Sequence, residues 1–88
     1  MQIQVRQPTD AEIAKLGVFA WPIWTCGVST FDWDYDAPEI CYLLEGRVTV
    51  NTGTESVSFG KGDLVVFPQG LSCVWQVQEA VRKHYRFG

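Results

Sequence analysis

Glu39, Tyr35, Cys41, Cys73 and His84 are the side chains with the most chemical capacity in this 88-residue chain, and their number limits what they can build. His84 is the one histidine. A three-histidine iron, zinc or manganese site therefore cannot be assembled within a single chain. Cys26, Cys41 and Cys73 are odd in number and contain no C-x-x-C pair, which fits neither a disulfide framework nor a zinc ribbon and predicts reduced thiols. Nucleophilic work by Cys41 or Cys73 would need a lowered thiol pKa, and a neighbouring carboxylate opposes that; the plainer role for both is a small buried hydrophobe. Charge is unevenly placed. No Lys or Arg occurs from Leu16 to Gly46, where Asp32, Asp34, Asp36, Glu39 and Glu45 all lie, while Arg82, Lys83 and Arg86 sit near the other end. Two accounts are open: solvated faces of opposite sign, or a fold that brings the two ends together. The net charge of -3 repels a phosphate backbone, so nucleic acid is not an expected partner.

The elements that must position these residues are short strands. Ile3 and Val5 alternate with Gln2 and Gln4, predicting an N-terminal edge strand that Pro8 ends. Thr9 with Glu12 forms a capping-box pattern, and Gly17 is placed to stop a helix over Asp10 to Leu16. Strand pieces follow at about 23–34, 39–45, 47–51, 55–59, 64–67, 71–78 and 80–87, with Glu45-Gly46 and Thr52-Gly53 expected as tight turns. Gly60-Lys61-Gly62-Asp63 and Pro68-Gln69-Gly70 supply two more. One domain over 1–88, built as an all-β antiparallel barrel with one short N-terminal helix, is the expected architecture. No apolar run reaches the ~18 residues of a membrane span, and the N-terminus lacks a signal-peptide stretch, so a cytoplasmic protein without a membrane partner is expected.

Gly27, Trp33, Tyr35, Glu39 and Gly46 stand at the spacing of the first cupin motif, G-x5-H-x-H-x3-E-x6-G, and Gly62, Pro68, Gly70, Cys73 and Val77 match the second, G-x5-P-x-G-x2-H-x3-N. The chain resembles the cupins over a barrel core of about 21–87. More narrowly, Trp21-Pro-Ile-Trp24, Phe31-Asp-Trp33, Glu39 to Gly46, Gly62 to Pro68 and Arg82-Lys-His-Tyr85 resemble small cupins grouped with the (S)-ureidoglycine aminohydrolase cupin domain. The resemblance implies a jelly-roll-like barrel. It implies no resident metal or cofactor, because Trp33, Tyr35 and Cys73 replace the three ligand histidines and Glu39 alone survives. A register shifted by one would put Asp32 and Asp34 at the first two positions, but it takes Gly27 out of its place.

Alternation along a strand turns Glu39, Cys41 and Leu43 one way and Ile40, Tyr42 and Leu44 the other, and likewise groups Cys73, Trp75 and Val77. On the cupin pattern these sets face inward, which predicts a ligand pocket of Trp33, Tyr35, Glu39, Cys41, Cys73 and Trp75. The aromatic members could equally plug a barrel this small. Glu39 is harder to explain by packing, since a buried carboxylate needs a partner, for which the Tyr35 hydroxyl and the Cys73 thiol are the candidates. The leading expectation is a metal-independent cupin that binds a small molecule, with Glu39 fixing a polar or cationic group; if catalytic, it would use Glu39 as acid or base and Tyr35 as proton relay. Two others stand beside it: a metal-dependent hydrolase of a ureido or amide compound, and a structural or regulatory cupin that binds another copy through outward residues such as Tyr42. His84 is expected as a satisfied surface or interface residue. A homodimer is expected because the core is small and the N-terminal strand needs an edge to pair with.

Overall fold

The computed structural model describes residues 2–88 and places almost every turn where glycine or proline stands in the sequence. β1 (Gln4–Arg6) leads into α1 (Asp10–Leu16) and one 3-10 turn (Val18–Ala20). Six strands follow: β2 (Ile23–Cys26), β3 (Ser29–Asp34), β4 (Glu39–Asn51), β5 (Ser56–Gly60), β6 (Leu64–Phe67) and β7 (Ser72–Phe87). The helix begins and ends as its residues dictate. Thr9 Oγ1 accepts the Glu12 backbone N–H, and Gly17 closes the last turn at φ 69° with its own N–H bonded to the Ala14 carbonyl.

All strand pairs are antiparallel, and β4 and β7 organise the rest. Their first and last halves belong to different layers. The N-terminal half of β4 and the C-terminal half of β7 form one layer with β6, β1 and β2, while their other halves form a second layer with β5 and β3. The bend between layers is a bulge. Pairing slips between Leu43 and Val48, where Gly46 takes φ 108° and a Cβ would lie 2.7 Å from the Ala80 carbonyl oxygen. Only glycine fits such an approach with that backbone angle. Glu45-Gly46 is therefore a bend inside one continuous strand, and 39–45 and 47–51 are not separate strands. The same correction joins 71–78 to 80–87. The expected piece 23–34 is conversely two strands, because the chain leaves the sheet at Gly27 and Val28.

The barrel is an open one: among the described residues no ladder joins β3 to β5, and the two layers hold together by the packing of their inner faces. Leu43, Val48, Val50, Val65, Phe67 and Trp75 are all but inaccessible there. A second, smaller cluster lies outside the first layer, where Ile13, Val18 and Trp21 pack on Ile40 and Tyr42. Tyr42 is thus covered by the protein's own N-terminal segment, with Phe19 edge-on to its ring, and is no free docking residue. His84 lies under the same cover. It is 5% exposed rather than on the surface, and its Nδ1 is 2.9 Å from the Trp21 carbonyl oxygen, which only accepts, so Nδ1 carries the proton. β1 pairs with β6 of its own chain, which removes the unpaired strand as a ground for a homodimer.

Candidate functional site

Glu39 opens β4 immediately after Pro38, with its Cα opposite Phe67 of β6 and Phe87 of β7. Its side chain is buried at 3% exposure, as alternation predicts, but its partner is neither Tyr35 nor Cys73. Lys83 Nζ donates to Glu39 Oε2 at 2.8 Å. Lys83 is itself only 4% exposed, and its ammonium lies 4.6 Å from the ring centre of Trp75 and 4.9 Å from that of Trp24. Two charges withdrawn from water lose several kcal/mol of hydration each, on the order of what a close ion pair with two aromatic faces can offset. The fold does bring the acidic and basic ends of the sequence together, at this pair.

The pair lies beside a cavity of about 170 Å³ lined by Trp24, Phe31, Trp33, Tyr35, Glu39, Trp75, Lys83, Tyr85 and Phe87. Of the six residues expected in a pocket, Trp33, Tyr35, Glu39 and Trp75 line it. Cys41 and Cys73 do not. Cys41 is fully buried in the core beneath, and Cys73 Sγ donates to the Trp33 carbonyl at 3.6 Å. Burial pushes the Cys41 thiol up to about 12, with Lys83 pulling it down and Glu39 adding to the rise. The Cys73 thiol is also raised, first by burial and then by the charge of Asp34. Neither thiol is a ready nucleophile at neutral pH.

The aromatic walls are mutually braced. Phe31 stacks on Trp75 at 5.9 Å and 14°, and Tyr35 stacks on Phe67 at 4.8 Å and 10°. Trp33, at 44% exposure, and Phe87, at 46%, stand among the lining residues as the most open ones. Tyr35 Oη and Trp75 Nε1 are buried without a hydrogen-bond partner. Burial, with the Glu39 charge behind it, raises the Tyr35 phenol far above its ordinary value. Tyr35 therefore stays protonated, which is a poor property for a proton relay.

Lys83, Trp24, Phe31, Tyr85 and Phe87 were missed by sequence reasoning, although the signal for Lys83 was present. Continuing the alternation of Cys73, Trp75 and Val77 along one unbroken β7 puts Val81, Lys83 and Tyr85 on the same face. A supposed break near 79, and the ordinary preference of lysine for solvent, concealed it.

The four positions at which a metal-binding cupin holds its ion do not suit one here. Trp33 has no ligating atom, Tyr35 keeps its proton, Cys73 bonds to a carbonyl, and Glu39 is already engaged by an ammonium group. Among the described residues, no three His, Cys, Asp or Glu side chains cluster as ligands would. The shifted register, with Asp32 and Asp34, fares no better, since both are exposed on β3.

Two bent strands shared between antiparallel layers, with an inward glutamate at the start of the first, are cupin architecture. The chain belongs to the EutQ-like cupin domain family, whose pattern matches residues 13–85. Among solved structures it is similar to a DUF861 family protein from Thermotoga maritima, at 48% identity over 99% of this chain and 100% of that one, with a TM-score of 0.97. It also resembles the EutQ protein of Clostridium difficile, at 26% identity and a TM-score of 0.68, covering 74% of this chain and 52% of that protein. A DUF861 family protein of Pseudomonas syringae is 28% identical with a TM-score of 0.68, over 75% of this chain and 29% of that one. The chain thus spans about half of EutQ and less of the Pseudomonas protein. No curated protein matches it. No helix among the described residues is long and apolar enough to cross a membrane.

Proposed function

We propose that this cupin binds a small molecule in the aromatic cavity between its two layers without using a metal, with the Glu39–Lys83 pair as polar anchor. The observation that carries this reading is a buried ion pair facing open space. A buried ion pair adds little to stability that apolar side chains could not supply, yet this one is kept at the edge of a cavity large enough for a ligand of one ring. Lys83 also takes the place assigned in sequence to a ligand cation, because the Glu39 charge is already met. The resemblance to the ureidoglycine aminohydrolase group adds no reaction to this reading, since no metal-activated water has a place in it. Should the site catalyse, Glu39 and Lys83 would be the proton-carrying groups.

A thermal-shift screen of small metabolites tests the proposal. The expected result is a compound that raises the Tm of the parent and leaves that of a Glu39→Gln, Lys83→Met double variant unchanged. Failure of every compound, together with exclusion of toluene from the cavity, overturns it.

A further inference from the structure

The fold treats the two oxygens of Glu39 differently. Oε2 accepts from Lys83 Nζ at 2.8 Å, while Oε1 has no hydrogen-bond partner among the described residues. The side-chain atoms that lack both a partner and contact with solvent are Tyr35 Oη and Trp75 Nε1; Oε1 is not one of them, so the little surface Glu39 keeps includes this oxygen. Tyr35 Oη and Trp75 Nε1 are sealed away and cannot meet a molecule in the cavity. Glu39 is the one carboxylate among the lining residues, and its partner is well supplied: the Lys83 ammonium has Oε2 and the faces of Trp24 and Trp75 around it. Oε1 has no protein donor at all.

We infer, on the binding reading above, that the ligand carries an N–H or O–H group and donates it to Glu39 Oε1, so that this oxygen sets which molecules the cavity retains. In the free protein the exposed side of Oε1 is within reach of water, which can donate to it. A ligand that settles against Glu39 takes that water away. Unless the ligand donates in its place, a carboxylate oxygen is left buried and unpaired, and hydrogen bonds to charged groups are the ones that cost most to leave unmade. Lys83 assists by position. By holding Oε2 it fixes the plane of the carboxylate, and with it the directions from which Oε1 accepts.

Two isomeric probes test the donor requirement. 2-Methylpyrrole and N-methylpyrrole have the same atoms and similar bulk, but only the first has an N–H to donate. Each is titrated against tryptophan emission, since Trp24, Trp33 and Trp75 all border the cavity. 2-Methylpyrrole is expected to bind about tenfold more tightly, the ratio that one hydrogen bond to a charged acceptor supplies. In a Glu39→Leu, Lys83→Met double variant, which has no carboxylate there and strands no ammonium, the two isomers are expected to bind alike. Equal affinities in the parent overturn the donor requirement and leave the pocket standing. A preference for 2-methylpyrrole that persists in the double variant overturns the assignment to Oε1. If neither isomer binds, the donor requirement is overturned, and if toluene is excluded as well, the binding reading falls with it.

Discussion

Lys83 and Glu39 make each other tolerable, and neither is tolerable alone. Lys83→Met strands a carboxylate at 3% exposure, and Glu39→Gln strands an ammonium at 4%. Each single change is expected to cost about 3 to 5 kcal/mol in urea unfolding, the usual range for breaking a buried pair from one side. The double variant is expected to recover most of that loss and to match or exceed the parent, because the hydration penalty disappears with both charges. A double-variant loss equal to the sum of the two single losses would mean that the pair is not coupled. The thiols give a second residue-level test. With Cys41 and Cys73 buried and raised in pKa, iodoacetamide at pH 8 is expected to label only half-buried Cys26 in the native protein and all three thiols in urea, as read by mass spectrometry.

At the scale of elements, Gly46 decides whether β4 can serve two layers. Gly46→Ala would place a Cβ 2.7 Å from the Ala80 carbonyl oxygen and 2.8 Å from Val81 Cα at φ 108°, so a loss of at least about 2 kcal/mol is expected. Gly53→Ala, at φ 92° in open space, is expected to cost about 1 kcal/mol, and Gly27→Ala, in open space without a positive φ, to be neutral or slightly stabilising. Chemical denaturation of the three variants checks the ranking. Gly46 also marks where sequence reading succeeded and where it stopped. Its spacing from Glu39 identified the fold, yet a glycine at a bulge and a glycine in a hairpin look alike locally, and only the partner strand distinguishes them. The helix was readable to the residue because Thr9 and Gly17 act through their own neighbours. Inward placement of Glu39, Cys41, Cys73 and Trp75 followed from alternation. Lys83 did not, because its burial depends on a partner 44 residues away. The layout of the cavity depends on how two layers bend over one another, and no local pattern records that.

At the scale of the whole molecule, the buried acids set an alkaline limit. The Cys41 pKa rises from 9.0 to about 12 on folding, and Tyr35 moves up from 10.0. Between those values the unfolded chain loses protons that the native chain keeps. The contribution of Cys41 to stability is therefore complete below pH 9 and declines as pH rises toward 12. Urea midpoints are expected to fall across that window, and Cys41→Val is expected to flatten the fall; a parent curve level to pH 11 would contradict it. The layering of the strands also has a consequence in time. β7 leaves the ribosome after the six strands before it, and it pairs with β2, β3 and β4 while carrying both Trp75 and Lys83. A nascent chain that lacks it holds Trp24, Phe31 and Trp33 on strands with no neighbour, and Glu39 with no cation. Folding must wait for translation of this segment to finish, and until then the emerging aromatic strands are the part of the chain most exposed to wrong association.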